Sequence, residues 1–179
     1  MSEQKQLNIG VDYGGVCSIS AENYEDGKRL INEEINMPGC QEALKKLKSL
    51  GHKLVLVSFC GARRARQTRE YLAPLGLFDE LVFVKNRDHK TKICKFYGLD
   101  IMIDDRLDIL ETVAPTQAVL FDYGSYTDKP FGVVPSTMKK DTKIYYSSSW
   151  PSTLDLLSTM QPLGLVPDKT FTIDNLCYL

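Results

Sequence analysis

No apolar run in this sequence approaches the roughly 20 residues that span a bilayer, so a membrane-crossing segment is not expected. Neither charge is in excess: 22 basic and 23 acidic side chains leave a formal net charge of -1. That balance supplies no global field to recruit an anionic membrane, and it does not favour nucleic acid as a partner. The five cysteines, Cys17, Cys40, Cys60, Cys94 and Cys177, are odd in number, scattered, and lack any C-x-x-C spacing. A disulfide framework or a thiolate zinc site is therefore not expected, and a reducing, cytoplasmic setting fits better. The opening Met1-Ser2-Glu3-Gln4-Lys5-Gln6 is polar and does not read as a secretory signal. Internal repeats and low-complexity tracts are also missing. What is present is ordinary globular material: 179 residues, 43% hydrophobic and 25% charged, one domain able to bury a sizeable core.

Short apolar runs alternate with helical patterns. Leu7 to Asp12, Lys53 to Val57, Leu81 to Val84, Ile101 to Ile103 and Ala118 to Phe121 read as buried strands. Between them, Pro38 opens a helix whose apolar face is Ala43, Leu44, Leu47 and Leu50, with Gly51 as its stop. Further helices are predicted over Ala62 to Leu72, Thr91 to Tyr97 and Arg106 to Thr112. This alternation implies βαβ units and a parallel sheet. Residues 17–36 are polar and irregular, with Glu25-Asp26-Gly27 as a turn signal. Beyond residue 124, Lys143 to Tyr146 reads as a strand, and Ser149-Trp150-Pro151 starts a helix with Leu154, Leu157 and Met160 inward. Residues 161–179 show no usable periodicity and are read as a packed or swapped tail.

Four segments that carry chemistry sit where predicted strands run out. They are Asp12-Tyr13-Gly14-Gly15-Val16, Ser58, Lys90 or Lys92, and Asp104-Asp105. A nucleophilic carboxylate, a hydroxyl, an ammonium and a carboxylate pair are the parts of a magnesium-dependent phosphoryl-transfer site. Ligands of parallel sheets collect at the carboxyl ends of strands, so a doubly wound fold would gather Asp12, Ser58 and Asp104 into one crevice. The position two after Asp12, where a second carboxylate would serve as acid and base, is Gly14.

In this order the segments resemble the motifs of the haloacid dehalogenase (HAD) superfamily of phosphohydrolases, over about residues 7 to 122. Asp12-Tyr13-Gly14-Gly15-Val16 matches the first motif, D-x-D-G-[TV], except at its second aspartate. Leu54 to Ser58 matches the second, His89-Lys90-Thr91-Lys92 the third, and Ile101-Met102-Ile103-Asp104-Asp105 the fourth. Lys90 fits the third best, with Lys92 as the alternative. The resemblance implies an α/β, Rossmann-like domain over 1–179: a parallel sheet flanked by helices, with a small flap at 17–36 in place of a full cap. It implies an aspartyl-phosphate on Asp12 and Mg2+ held by Asp12, the Gly14 carbonyl and Asp104, with Asp105 beside them. Ser58 would donate to the transferring phosphoryl group, and Lys90 would offset charge and orient Asp12. Gly15 and Arg63 are the candidate contacts to substrate phosphate. An open site suits a bulky phosphorylated substrate, with a phosphorylated small molecule as the other expectation, or closure by an oligomer partner or the tail.

Replacement of the acid by Gly14 is expected to weaken hydrolysis of phosphate esters, since general acid–base catalysis contributes about 10²- to 10⁴-fold. The alternative is a catalytically degenerate module that binds magnesium and a phosphorylated ligand or protein without turnover. A third reading uses Cys60 and Arg66, whose C-x₅-R spacing is that of cysteine-dependent phosphatases. The preceding histidine and following Ser or Thr of that pattern are missing; Phe59 and Gln67 stand there. Arg63, Arg64, Arg66 and Arg69 otherwise read as one exposed helix face, and His52 and His89 as surface residues.

Overall fold

The computed structural model describes residues 5–19, 23–25, 28–30, 34–125, 129–135 and 143–179. The apolar runs form strands β1 (Asn8–Val11), β4 (Lys53–Phe59), β5 (Glu80–Val84), β6 (Ile101–Asp104), β7 (Gln117–Phe121) and β9 (Ile144–Ser147). All six pair in parallel, and their order is β5-β4-β1-β6-β7-β9. Two short antiparallel strands close the sheet, β8 (Phe131–Val133) beside β9 and β10 (Cys177–Tyr178) beside β5. A separate two-stranded antiparallel sheet, β2 (Asn23–Glu25) with β3 (Lys28–Leu30), lies within the 17–36 stretch. Asp26 and Gly27 of its expected turn lie outside the described residues.

The alternation of side chains along β4 divides the core into two layers. Leu54 and Leu56 face α1 (Cys40–Ser49), α2 (Ala62–Leu72) and α5 (Trp150–Thr159). Val55 and Val57 face α3 (His89–Tyr97) and the single turn α4 (Leu107–Leu110). The sheet is thus buried on both faces, the condition under which parallel strands are stable. The chain runs outward from β1 through β4 to β5, then returns to β6 on the other side of β1. The reversal opens a crevice at the carboxyl end of β1, the place where such folds bind ligands.

Several expectations are corrected locally. Leu50 is the exposed C-cap of α1 rather than part of its buried face, which is Cys40, Ala43, Leu44 and Leu47. The helix expected over Arg106 to Thr112 is one turn, and β4 continues through Ser58 to Phe59. In α5, Leu156 is buried with Leu157, while Leu154 is only half-buried. Residues 161–179 pack on their own chain. The Leu163 and Asn8 N–H groups donate to the two oxygens of Asp100 at 2.8 Å each. Lys169 lies 3.5 Å over the Phe96 ring, and Lys85 N–H donates to the Leu176 carbonyl at 2.9 Å, leading the tail into β10.

His52 is not a surface residue. It is buried, and its Nδ1 accepts the Leu7 N–H at 3.0 Å, which requires the neutral ring. Burial lowers its pKa below the ordinary histidine value. Stability from this group is therefore complete above the ordinary pKa and is lost as pH falls through it toward the lower folded value. His52→Asn retains an acceptor without a titrating ring. It should lose less Tm than the wild type between about pH 7.5 and about pH 5.5; an equal loss would show that His52 does not contribute to the acid sensitivity.

Candidate active site

At the end of β1 the Asp12 N–H donates to the Ile103 carbonyl of β6 at 2.9 Å, holding the tips of these two strands together. The chain then turns sharply. The Tyr13 carbonyl accepts from the N–H groups of Val16, Cys17 and Ser18, and Gly15 N–H donates to the Ser18 carbonyl at 2.8 Å. Gly15 has φ 81°, and a Cβ there would run into the Asp105 carboxylate. Both backbone and space require glycine at that position. Gly14 is different: its φ is not left-handed and a Cβ would meet nothing within 4 Å. The buried Trp150 of α5 pins the turn, donating from Nε1 to the Val16 carbonyl at 2.8 Å.

Lys90 links the strand tips. Its ammonium lies 3.0 Å from Asp12 Oδ1 and 2.7 Å from Asp104 Oδ2, and all three residues are buried. The turn before α3 delivers it: Asn86 accepts the His89 N–H through its carbonyl, and Arg87 accepts that of Lys90. Lys92 is on the exposed face of the same helix, so Lys90 is the lysine of the crevice. Asp104 is further held by Arg106 N–H, which donates to Oδ1 at 3.0 Å.

Burial pushes the Asp12 carboxyl well above its ordinary range; Lys90 opposes this, while Asp104 and Asp105 push it further up. Asp105 is also raised, by burial and then by Asp104. Burial disfavours the Lys90 ammonium, yet Asp12 and Asp104 outweigh it and its pKa is raised. Three carboxyl groups thus share a single ammonium, Asp12 and Asp104 in direct contact with it.

Asp12, Asp104 and Asp105 each offer an oxygen within 4.8 Å of the others. Hard carboxylate oxygens in excess over nearby cations suit a hard divalent ion such as Mg2+. The Gly14 carbonyl accepts no backbone hydrogen bond from the described residues and is a further oxygen that could serve as a ligand.

The crevice over this group encloses about 260 Å³. Asp12, Gly14, Gly15, Ser58, Lys90 and Asp105 line it, with Asp104 buried behind them. Arg63 does not line it and is exposed; Arg64 does. The C-x₅-R reading fails on the same helical geometry. Cys60 lines the crevice, but Arg66 belongs to a separate depression with Arg69, Lys85 and Tyr178. Along α2, Arg64 and Thr68 are spaced i, i+4 and face the crevice, whereas Arg66 and Arg69 turn away from it. That spacing was the available signal for Arg64. Phe59, Arg87 and Arg106 also line the crevice and carry no motif that marks them.

No family model matches the sequence, and no curated protein matches it. Solved structures do resemble the fold. A HAD-superfamily hydrolase from Ehrlichia chaffeensis superposes with TM-score 0.54 at 11% identity, covering 86% of this chain and 97% of that one. The D,D-heptose 1,7-bisphosphate phosphatase from Burkholderia thailandensis gives TM-score 0.57 at 16% identity, covering 87% and 100%. The enzyme of that name from B. bronchiseptica, complexed with magnesium and phosphate, gives 0.53 at 14%, covering 86% and 98%. The chain has the HAD fold. Within the HAD fold the crevice described above lies at the sheet's switch point. Among the described residues no helix is long and apolar enough to cross a membrane.

Removing one partner from a buried charge group leaves the others uncompensated and typically costs about 3–5 kcal/mol. Lys90→Met is expected to lower unfolding stability on that scale, whereas Lys92→Met should change it by less than about 0.5 kcal/mol. Urea denaturation of both variants measures the difference, and equal losses would contradict a bridging role for Lys90.

Proposed function

We propose that this chain is a magnesium-dependent phosphohydrolase that cleaves phosphate esters through an aspartyl-phosphate on Asp12, slowed by Gly14. The observation that carries the reading is the convergence of Asp12, Lys90, Asp104 and Asp105 at two adjacent strand tips. Support also comes from the shared fold with phosphatases, one of them complexed with magnesium and phosphate.

Mg2+, held by Asp12, the Gly14 carbonyl, Asp104 and Asp105, would neutralise the repulsion between a carboxylate and a phosphate dianion. The Asp12 carboxylate attacks phosphorus, and the P–O bond to the leaving alcohol breaks. Lys90 favours the ionised form of Asp12 and aims it, and the Ser58 hydroxyl donates to the transferring phosphoryl oxygens. In the second step a water attacks the phosphorus, releasing inorganic phosphate and regenerating Asp12. No side chain at residue 14 protonates the leaving oxygen or deprotonates that water, so solvent supplies and removes those protons. The absence of this acid also favours a second reading, in which magnesium and a phosphorylated ligand are bound without turnover.

Release of phosphate from a panel of esters separates these readings. Activity should require Mg2+, vanish with EDTA, and vanish in Asp12→Asn. Gly14→Asp should raise kcat by about 10²-fold or more, since the space beside Gly14 is open. Activity that is indifferent to Asp12→Asn overturns the mechanism, and magnesium binding without turnover on any ester establishes the second reading.

A further inference from the structure

We propose that Arg87, seated on Phe59, selects substrates that carry a second oxyanion group, phosphate or carboxylate, beside the scissile phosphate. This rests on the phosphohydrolase reading above and specifies its substrate class.

Among the described residues four cations line the crevice, Arg64, Arg87, Lys90 and Arg106, and they are not equivalent. The Lys90 ammonium is shared between Asp12 and Asp104. Arg106 is engaged by Asp108 through two bonds, Nε to Oδ1 at 3.1 Å and Nη2 to Oδ2 at 2.9 Å. Arg87 is exposed, and among the described residues no carboxylate forms an ion pair with it. Its guanidinium carbon lies 4.6 Å from the centroid of the Phe59 ring. A guanidinium laid on an aromatic face is held in orientation while its edge N–H groups stay available. That planar edge matches the paired oxygens of phosphate or carboxylate.

Sequence proximity ties this cation to the reacting groups. Phe59 directly follows Ser58 in β4 and is partly exposed at the crevice. Arg87 accepts the Lys90 N–H at 3.1 Å through its own carbonyl. The turn that sends Lys90 inward therefore places Arg87 at the rim. A crevice of about 260 Å³ holds a phosphoryl group and a short carbon skeleton, which brings a second charged group of a small ester out to that rim.

The test compares fructose 1,6-bisphosphate, 2-phosphoglycolate and glucose 6-phosphate, with magnesium, in the wild type, Arg87→Ala and Arg87→Lys. The measured quantity is kcat/KM for each doubly anionic ester relative to glucose 6-phosphate. Arg87→Ala should lower that ratio by about tenfold, and Arg87→Lys should recover part of it, because a point charge lacks the guanidinium fork. A fall confined to the bisphosphate identifies the second group as phosphate; one confined to 2-phosphoglycolate identifies it as carboxylate. An unchanged ratio for both overturns the proposal. If the wild type hydrolyses none of the three, the catalytic reading fails, and the same ratio is taken from calorimetric affinities with magnesium present. A tenfold fall there upholds the role of Arg87, and no fall overturns it.

Discussion

In the centre of this protein an ammonium group sits between two carboxylates, 3.0 Å from Asp12 and 2.7 Å from Asp104, with almost no access to water. Moving any one of these charges out of solvent alone is costly, and the grouping persists because each member offsets another. The architecture serves this contact. The register of β1 against β6 brings their tips side by side, and the turn before α3 lets a long side chain reach in from the neighbouring layer. Three carboxyl groups therefore gather around one lysine, with an oxygen of each within 4.8 Å of the others.

Two adjacent glycines in the turn after Asp12 have opposite standing. Gly15 is dictated by a left-handed backbone and by the Asp105 carboxylate packed against it. Gly14 is dictated by neither. The lack of a side chain at residue 14 is consequently not imposed by sterics. The scaffold would accommodate a side chain at residue 14.

The parallel sheet and the crevice residues at its strand ends are legible because each depends on local pattern. Continuous apolar runs marked β1, β4, β5 and β6, and Asp12, Ser58 and Asp104 stood at or next to their ends. The sequence favours Lys90 without excluding Lys92, because both fit the helix and only its packing shows which side chain turns inward. The rim behaved likewise: Arg63 and Arg64 are adjacent in sequence, and the rotation of α2 about its axis decides between them. The burial of His52 is not visible in sequence, since a single histidine before a strand has no periodicity and its partner, the Leu7 N–H, is distant in sequence. β8 and β10 leave no sequence signal for a related reason: strands of three and two residues are defined by the neighbour they pair with, not by composition.

Trp150 carries one more implication. It is the sole tryptophan in the chain, fully enclosed, with its indole N–H bound to the Val16 carbonyl in the turn that presents Asp12. Its ring also lies 5.6 Å from that of Phe121, tilted by 39°. Because indole emission responds to local polarity and to hydrogen bonding at that nitrogen, the molecule contains its own optical reporter. Ultraviolet-excited emission would register loosening of the turn after Asp12, without any attached dye.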